Sequence, residues 1–143
     1  MALNTLKIRV YYDKDENIQL SIFYFIMEEQ KNYMSREFIA LPSFLVKWRR
    51  IGFTEEDMLR LERELCANPK VGAVLRGTNG ARKMRFSFLH RGKSGSARVI
   101  YVDFEISQRL YFVDVFAKSE KDNISAEERN ELKMVVETLE LEN

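Results

Sequence analysis

Between Val71 and Tyr101 the chain carries seven basic residues and no acidic one: Arg76, Arg82, Lys83, Arg85, Arg91, Lys93 and Arg98. The single histidine, His90, falls in the same stretch. From Ser119 to Asn143 the balance reverses, with eight acids against three bases. The net charge of +1 over 143 residues therefore hides a strongly polar molecule. A basic centre flanked by acidic helices is a footprint for an anion, and a polyphosphate backbone is the obvious class. The plainer reading is a solvated strand face paired with those helices. Two features favour the anion. Lys83 and Arg85 are two apart, so a strand puts both on one face. Arg98 joins them if the next strand has a suitable register, and three crowded cations repel until an anion sits among them. The connecting stretch from Leu89 to Ser96 is also basic and contains Gly92 and Gly95, whose backbone N–H groups can approach a phosphate closely.

Other chemistries are excluded by what the chain lacks. Gly92-Lys93-Ser94 invites a nucleotide-binding loop, but the first glycine of that pattern is missing and the stretch lies between strands, not before a helix. One histidine cannot supply a His-rich zinc site. Neither a Gly-x-Ser-x-Gly elbow nor a glycine-rich dinucleotide fingerprint occurs. Cys66 is the only cysteine, so there is no internal disulfide and no cysteine metal site. It reads as a small buried residue on a helix, in a reducing compartment such as the cytosol. No metal and no cofactor is expected. The longest apolar run, Ile22 to Met27, is far short of the roughly 20 residues that span a bilayer, and no secretory signal opens the chain, so no membrane association is expected.

The elements that must position the basic centre follow from periodicity. Leu6, Ile8, Val10 and Tyr12 alternate with polar or half-polar residues, and Ile18, Leu20, Ile22, Tyr24 and Ile26 alternate again after a polar turn. The start therefore reads as a β-hairpin, with a short helix through Phe23 to Gln30 as the alternative, because so apolar a run carries little period information. Met34 could serve as an alternative start, which divides the chain into an extension, 1–33, and a domain, 34–143. Arg36 to Leu41 is a strand ended by Pro42. Ser43 to Arg50 is a helix with Phe44, Trp48 and Ile51 on one face, stopped by Gly52. Thr54 and Asp57 open a second helix with Met58, Leu61 and Leu65 inward, forming a helical hairpin with the first. Ala81–Phe88, Ala97–Glu105 and Arg109–Ala117 are strands, the last two joined tightly and so antiparallel. Ser125 and Glu128 make a capping box for a last helix with Leu132, Val135, Val136 and Leu139 on its apolar face. The class is α+β with an antiparallel sheet.

Three stretches resemble the RelE/HigB-type toxins of type II toxin–antitoxin modules. They are Asn68-Pro69, Gly77-Thr78-Asn79-Gly80-Ala81-Arg82-Lys83-Met84-Arg85, and Arg91-Gly92-Lys93-Ser94-Gly95-Ser96-Ala97-Arg98-Val99-Ile100-Tyr101. Ala117 to Ile124 resembles the family's segment after the last strand, and the likeness runs from about Arg36 to Leu141. It implies a small antiparallel sheet carrying a helical hairpin and a C-terminal helix. It also implies a metal-independent endoribonuclease that cuts mRNA on the ribosome, the ribose 2′-OH attacking the adjacent phosphate and the 5′-oxygen leaving. Carried over residue by residue, Lys83 assists 2′-OH deprotonation, Arg85 holds the scissile phosphate and Arg98 stabilises the pentacoordinate phosphate. Lys118 falls near the leaving group, with Lys121 beside it. Arg76, Arg82, His90, Arg91 and Lys93 would contact RNA or the ribosome. Asn79 stands where the family often has glycine, which a left-handed conformation tolerates, and Val102 stands where a second tyrosine is common. No C-terminal tyrosine matches the one that stacks on a base in some members. Tyr101, Phe86 or His90 could stack instead, the first two reading more readily as core.

The implied partners are a cognate antitoxin, the ribosome and mRNA. The antitoxin would cover the basic face or the helices, and the N-terminal hairpin could add strands to the sheet edge or dock it. Two alternatives share the fold: a ParE-like toxin that binds DNA gyrase without cutting RNA, and a degenerate member acting only as a binding module.

Overall fold

The computed structural model describes residues 8–12, 35–89 and 95–143. Six strands and three helices lie among them. The strands are β1 (Ile8–Tyr12), β2 (Ser35–Ala40), β3 (Ala73–Val74), β4 (Arg82–Ser87), β5 (Ser96–Phe104) and β6 (Arg109–Ala117). The helices are α1 (Pro42–Ile51), α2 (Glu55–Ala67) and α3 (Ala126–Glu140). The strands form one sheet in the order β1-β2-β6-β5-β4-β3.

Helices and strands begin and end where local chemistry directs. Pro42 opens α1 in its first turn, and Gly52, at φ 107°, ends it in a left-handed conformation that glycine adopts without strain. Thr54 and Asp57 form the reciprocal capping box of α2, and Ser125 and Glu128 that of α3. Asn79 takes φ 60°, the left-handed backbone expected of it.

Two cores sandwich the sheet. On one face α1 and α2 bury Phe44, Trp48, Met58, Leu61 and Leu65 against Phe38, Met84, Phe86, Tyr101 and Phe112. The rings of Trp48 and Phe53 stack there at 4.3 Å between centroids. On the other face α3 buries Leu132, Val136 and Leu139 against Ile100, Val102, Tyr111, Val113 and Phe116. With both faces covered, β5 and β6 are buried along most of their length. Their Val-, Ile-, Phe- and Tyr-rich runs follow from that position.

Three expectations change in detail. The sheet is mixed: four pairings are antiparallel, but β2 runs parallel to β6, from Glu37↔Arg109 to Ala40↔Phe112. A parallel pair needs a long crossover, and both helices and three strands lie between these two in the chain. The first arm of the expected hairpin is β1, but it pairs antiparallel with β2, Ile8 opposite Ile39. The second arm, Ile18 to Ile26, lies outside the described residues. The short β3, which no periodicity marks, pairs with β4 at the end of the sheet order. No helix among the described residues is long and apolar enough to cross a membrane.

Candidate functional site

β4 and β5 carry the basic centre. Their register places Arg85 directly opposite Arg98, and Lys83 opposite Ile100. Ile100 packs into the core beneath α3, so Lys83, Arg85 and Arg98 stand on the α3 face of the sheet. Met84 and Phe86, the alternate residues of β4, point into the core under α1 and α2. Directly opposed residues on an antiparallel pair have Cβ atoms about 5 Å apart. Two guanidinium groups there make a fork suited to the oxygens of one phosphodiester. Arg85 is exposed, and no ion pair holds it among the described residues.

The segment between β6 and α3 completes the face. Its backbone begins by continuing the ladder, the Lys118 N–H donating to the Ser96 carbonyl at 3.1 Å. It then turns, and Ile124 drops into the α3 core. On the way Asp122 reaches Arg98, at 3.7 Å from Nη2. Asn123 Oδ1 accepts from Lys83 Nζ at 3.2 Å. Lys121 lies over the ring of Phe116, its Nζ 4.7 Å from the centroid, and is paired with Glu128. Phe116 is the β6 partner of Arg98, so Lys121 stands beside the same site. Lys118 is exposed at the end of β6.

Lys83, Arg85, Arg98 and Lys121 are thus brought together, with Lys118 at the margin. Other expected contacts are placed elsewhere. Arg82 alternates onto the opposite face, where its Nη1 donates to the Gly72 carbonyl at 2.8 Å and holds the turn before β3. Arg76 is exposed in the turn after β3, its carbonyl accepting from Arg129 at 2.8 Å. His90, Arg91 and Lys93 lie outside the described residues. Tyr101 and Phe86 are buried in the core, so neither offers a face to a base. The Tyr101 hydroxyl donates to the Pro69 carbonyl at 2.7 Å and accepts from the Gly72 N–H at 2.9 Å. Burial pushes that phenol above its ordinary pKa.

Asp122 and Asn123 are the polar neighbours that sequence reasoning missed. Their one signal is position, immediately before the capping box that sets the start of α3.

The chain was compared with known proteins. A family described as the RelE toxin of the RelE/RelB toxin–antitoxin system matches residues 46–142. Among solved structures, a double arginine-to-alanine mutant of the E. coli toxin RelE in the free state is similar at 20% sequence identity. That match covers 59% of this chain and 85% of the other, with a TM-score of 0.44.

Proposed function

This chain belongs to the RelE toxin family, and from that premise we propose that it is an endoribonuclease that cuts ribosome-bound mRNA. As a toxin of a toxin–antitoxin system it has an antitoxin partner. The ribosome and mRNA are the further partners that we propose, and the cytoplasm the place of action. The matched residues fall within 34–143, and we read 1–33 as an extension that adds β1 to the sheet.

The observation that carries the reading is the direct pairing of Arg85 with Arg98 on a face that also holds Lys83 and Lys121. A phosphodiester between the two guanidinium groups would relieve their repulsion. In the reaction the ribose 2′-oxygen bonds to phosphorus as its proton passes to water, with Lys83 assisting by stabilising the charge that develops on that oxygen. The bond from phosphorus to the 5′-oxygen breaks, and the leaving oxygen takes up a proton, for which Lys118 is the proposed donor. The products are a cyclic phosphate and a 5′-hydroxyl. Arg98, with a side chain only 15% exposed, is better shielded from water than the exposed Arg85, so its charge acts the more strongly of the two on the pentacoordinate phosphate.

The test is mRNA cleavage by the purified protein, with and without translating ribosomes, beside Arg98→Ala. The expected outcome is cleavage only with ribosomes, reduced on the order of 100-fold or more in the variant while its circular dichroism is unchanged. Intact mRNA in every lane, from folded protein, would overturn the reading and turn the basic face into a docking surface.

A further inference from the structure

Ser96 is buried, and its hydroxyl has no hydrogen-bond partner among the described residues. A buried hydroxyl without a partner is costly, and native proteins keep few of them. Ser96 begins β5 two residues before Arg98, so the two side chains share the α3 face. They are separated by about 7 Å along the strand. The Arg98 Nη1 lies 3.5 Å from the carbonyl of Ala97, the residue between the two. Across the ladder Ser87 is paired with Ser96 as Arg85 is paired with Arg98. The two strands therefore present a pair of hydroxyl residues one step from a pair of guanidinium groups. On the other side, the Ser96 carbonyl is held by the backbone of Lys118.

We infer that Ser96 is a further substrate-binding residue, donating its hydroxyl hydrogen to a non-bridging oxygen of the phosphodiester held by Arg85 and Arg98. This rests on the endoribonuclease reading. The contact now standing on Arg98 is a loose one: Asp122 is 3.7 Å away, and its side chain is 78% exposed. An incoming phosphate takes the place of that carboxylate on the guanidinium. One of its oxygens then supplies the acceptor that the Ser96 hydroxyl lacks in the free protein.

The inference separates a binding role from a structural one by the sign of the stability change. A serine that holds the fold together through its hydroxyl destabilises the protein when cut to alanine. A serine whose hydroxyl is unpartnered until substrate arrives does not, because alanine removes a buried polar group and no bond. The experiment uses the full chain and Ser96→Ala. It measures cleavage of ribosome-bound mRNA, binding of a 2′-O-methylated RNA oligonucleotide that cannot be cut, and the thermal midpoint. Expected are a loss of cleavage and of oligonucleotide affinity of about tenfold, with the midpoint unchanged or raised. Wild-type cleavage by the variant would overturn the inference, leaving the endoribonuclease reading intact. So would lost cleavage accompanied by a lowered midpoint, since that assigns the hydroxyl to the fold. Absence of cleavage by the wild-type protein removes the endoribonuclease reading first, and the role of Ser96 with it.

Discussion

Arg85 and Arg98 stand opposite each other on adjacent strands at a cost to the free protein. Like charges at directly opposed positions weaken a ladder by about 0.2–1 kcal/mol. Asp122 offsets part of this at Arg98, while Arg85 is exposed and has no ion pair among the described residues. Replacing Arg85 by Ala should therefore leave the thermal midpoint at low salt unchanged or higher. Added inorganic phosphate should raise the midpoint of the wild-type protein and leave that of Arg85→Ala nearly still, as measured by a thermal-shift titration. Equal phosphate responses in both proteins would argue against a shared anion site. Tyr101 illustrates the opposite use of a polar side chain. Its hydroxyl is spent on Pro69 and Gly72 inside the core, and a Cβ at Gly72 would meet that oxygen at 2.9 Å. The guanidinium of Arg85 is left exposed opposite a like charge, whereas the Tyr101 hydroxyl is satisfied by the fold.

Among the elements, α3 connects the acidic end of the chain to the basic face. Its capping box uses the Glu128 carboxylate, which also takes Lys121 from the segment beside the site. The hydrogen bond from Lys121, with that from the Ser125 backbone, lowers the Glu128 pKa from 4.5 to about 2. A carboxyl group whose folded value is depressed stabilises the fold above its ordinary value and ceases to as pH falls through the folded one. The contribution is thus complete above about pH 4.5 and fades toward pH 2. Glu128 is partly exposed, so the effect is at most about 1 kcal/mol after screening. In urea unfolding, Glu128→Gln should be less stable than wild type at pH 7, and the two should converge by about pH 2. A constant difference across that range would mean that the charge of Glu128 plays no part in anchoring the segment.

At the scale of the whole molecule, closure of the sheet depends on a contact that spans three strands. Arg36 on β2 reaches across β6 to Asp103 on β5, with Nε–Oδ1 at 2.7 Å and Nη2–Oδ2 at 3.1 Å. Both side chains are under 10% exposed, at 9% and 5%. Cutting one partner from a buried pair leaves the other charge in the low-dielectric interior. Asp103→Ala should therefore cost about 3–5 kcal/mol in denaturant unfolding, far more than a surface pair would. The pair lies on the α1–α2 side, away from Arg85 and Arg98. Cleavage per folded molecule should survive. Loss of less than about 1 kcal/mol would show that solvent reaches the pair and that β2 is held to β6 by the ladder and the Arg109–Glu37 ion pair instead.

Much of the fold could be read from the chain because the signals are local. Alternation marked β4, β5 and β6, helical spacing put Phe44, Trp48, Leu61 and Leu65 inward, and Thr54–Asp57 and Ser125–Glu128 marked helix starts. The basic stretch and the shared face of Lys83 and Arg85 were legible for the same reason: a strand repeats every two residues. Apart from the tightly joined β5–β6 pair, what pairs with what was not. The opposition of Arg85 to Arg98 depends on a register between strands, and a slip of one residue would send every side chain of β5 to the other face. That register, unbroken from Arg82↔Tyr101 to Ser87↔Ser96, is chosen by burial on both sides of the sheet. Alternation also separated Arg82 from Lys83 although the two are neighbours, and so moved one expected RNA contact to a structural turn. The parallel β2–β6 ladder and the contacts of Asp122 and Asn123 with the cations join residues far apart in the chain. Residue types and spacing were enough for the elements and for the charge of the site. Only packing of the two helical layers onto the sheet decided which of those charges meet.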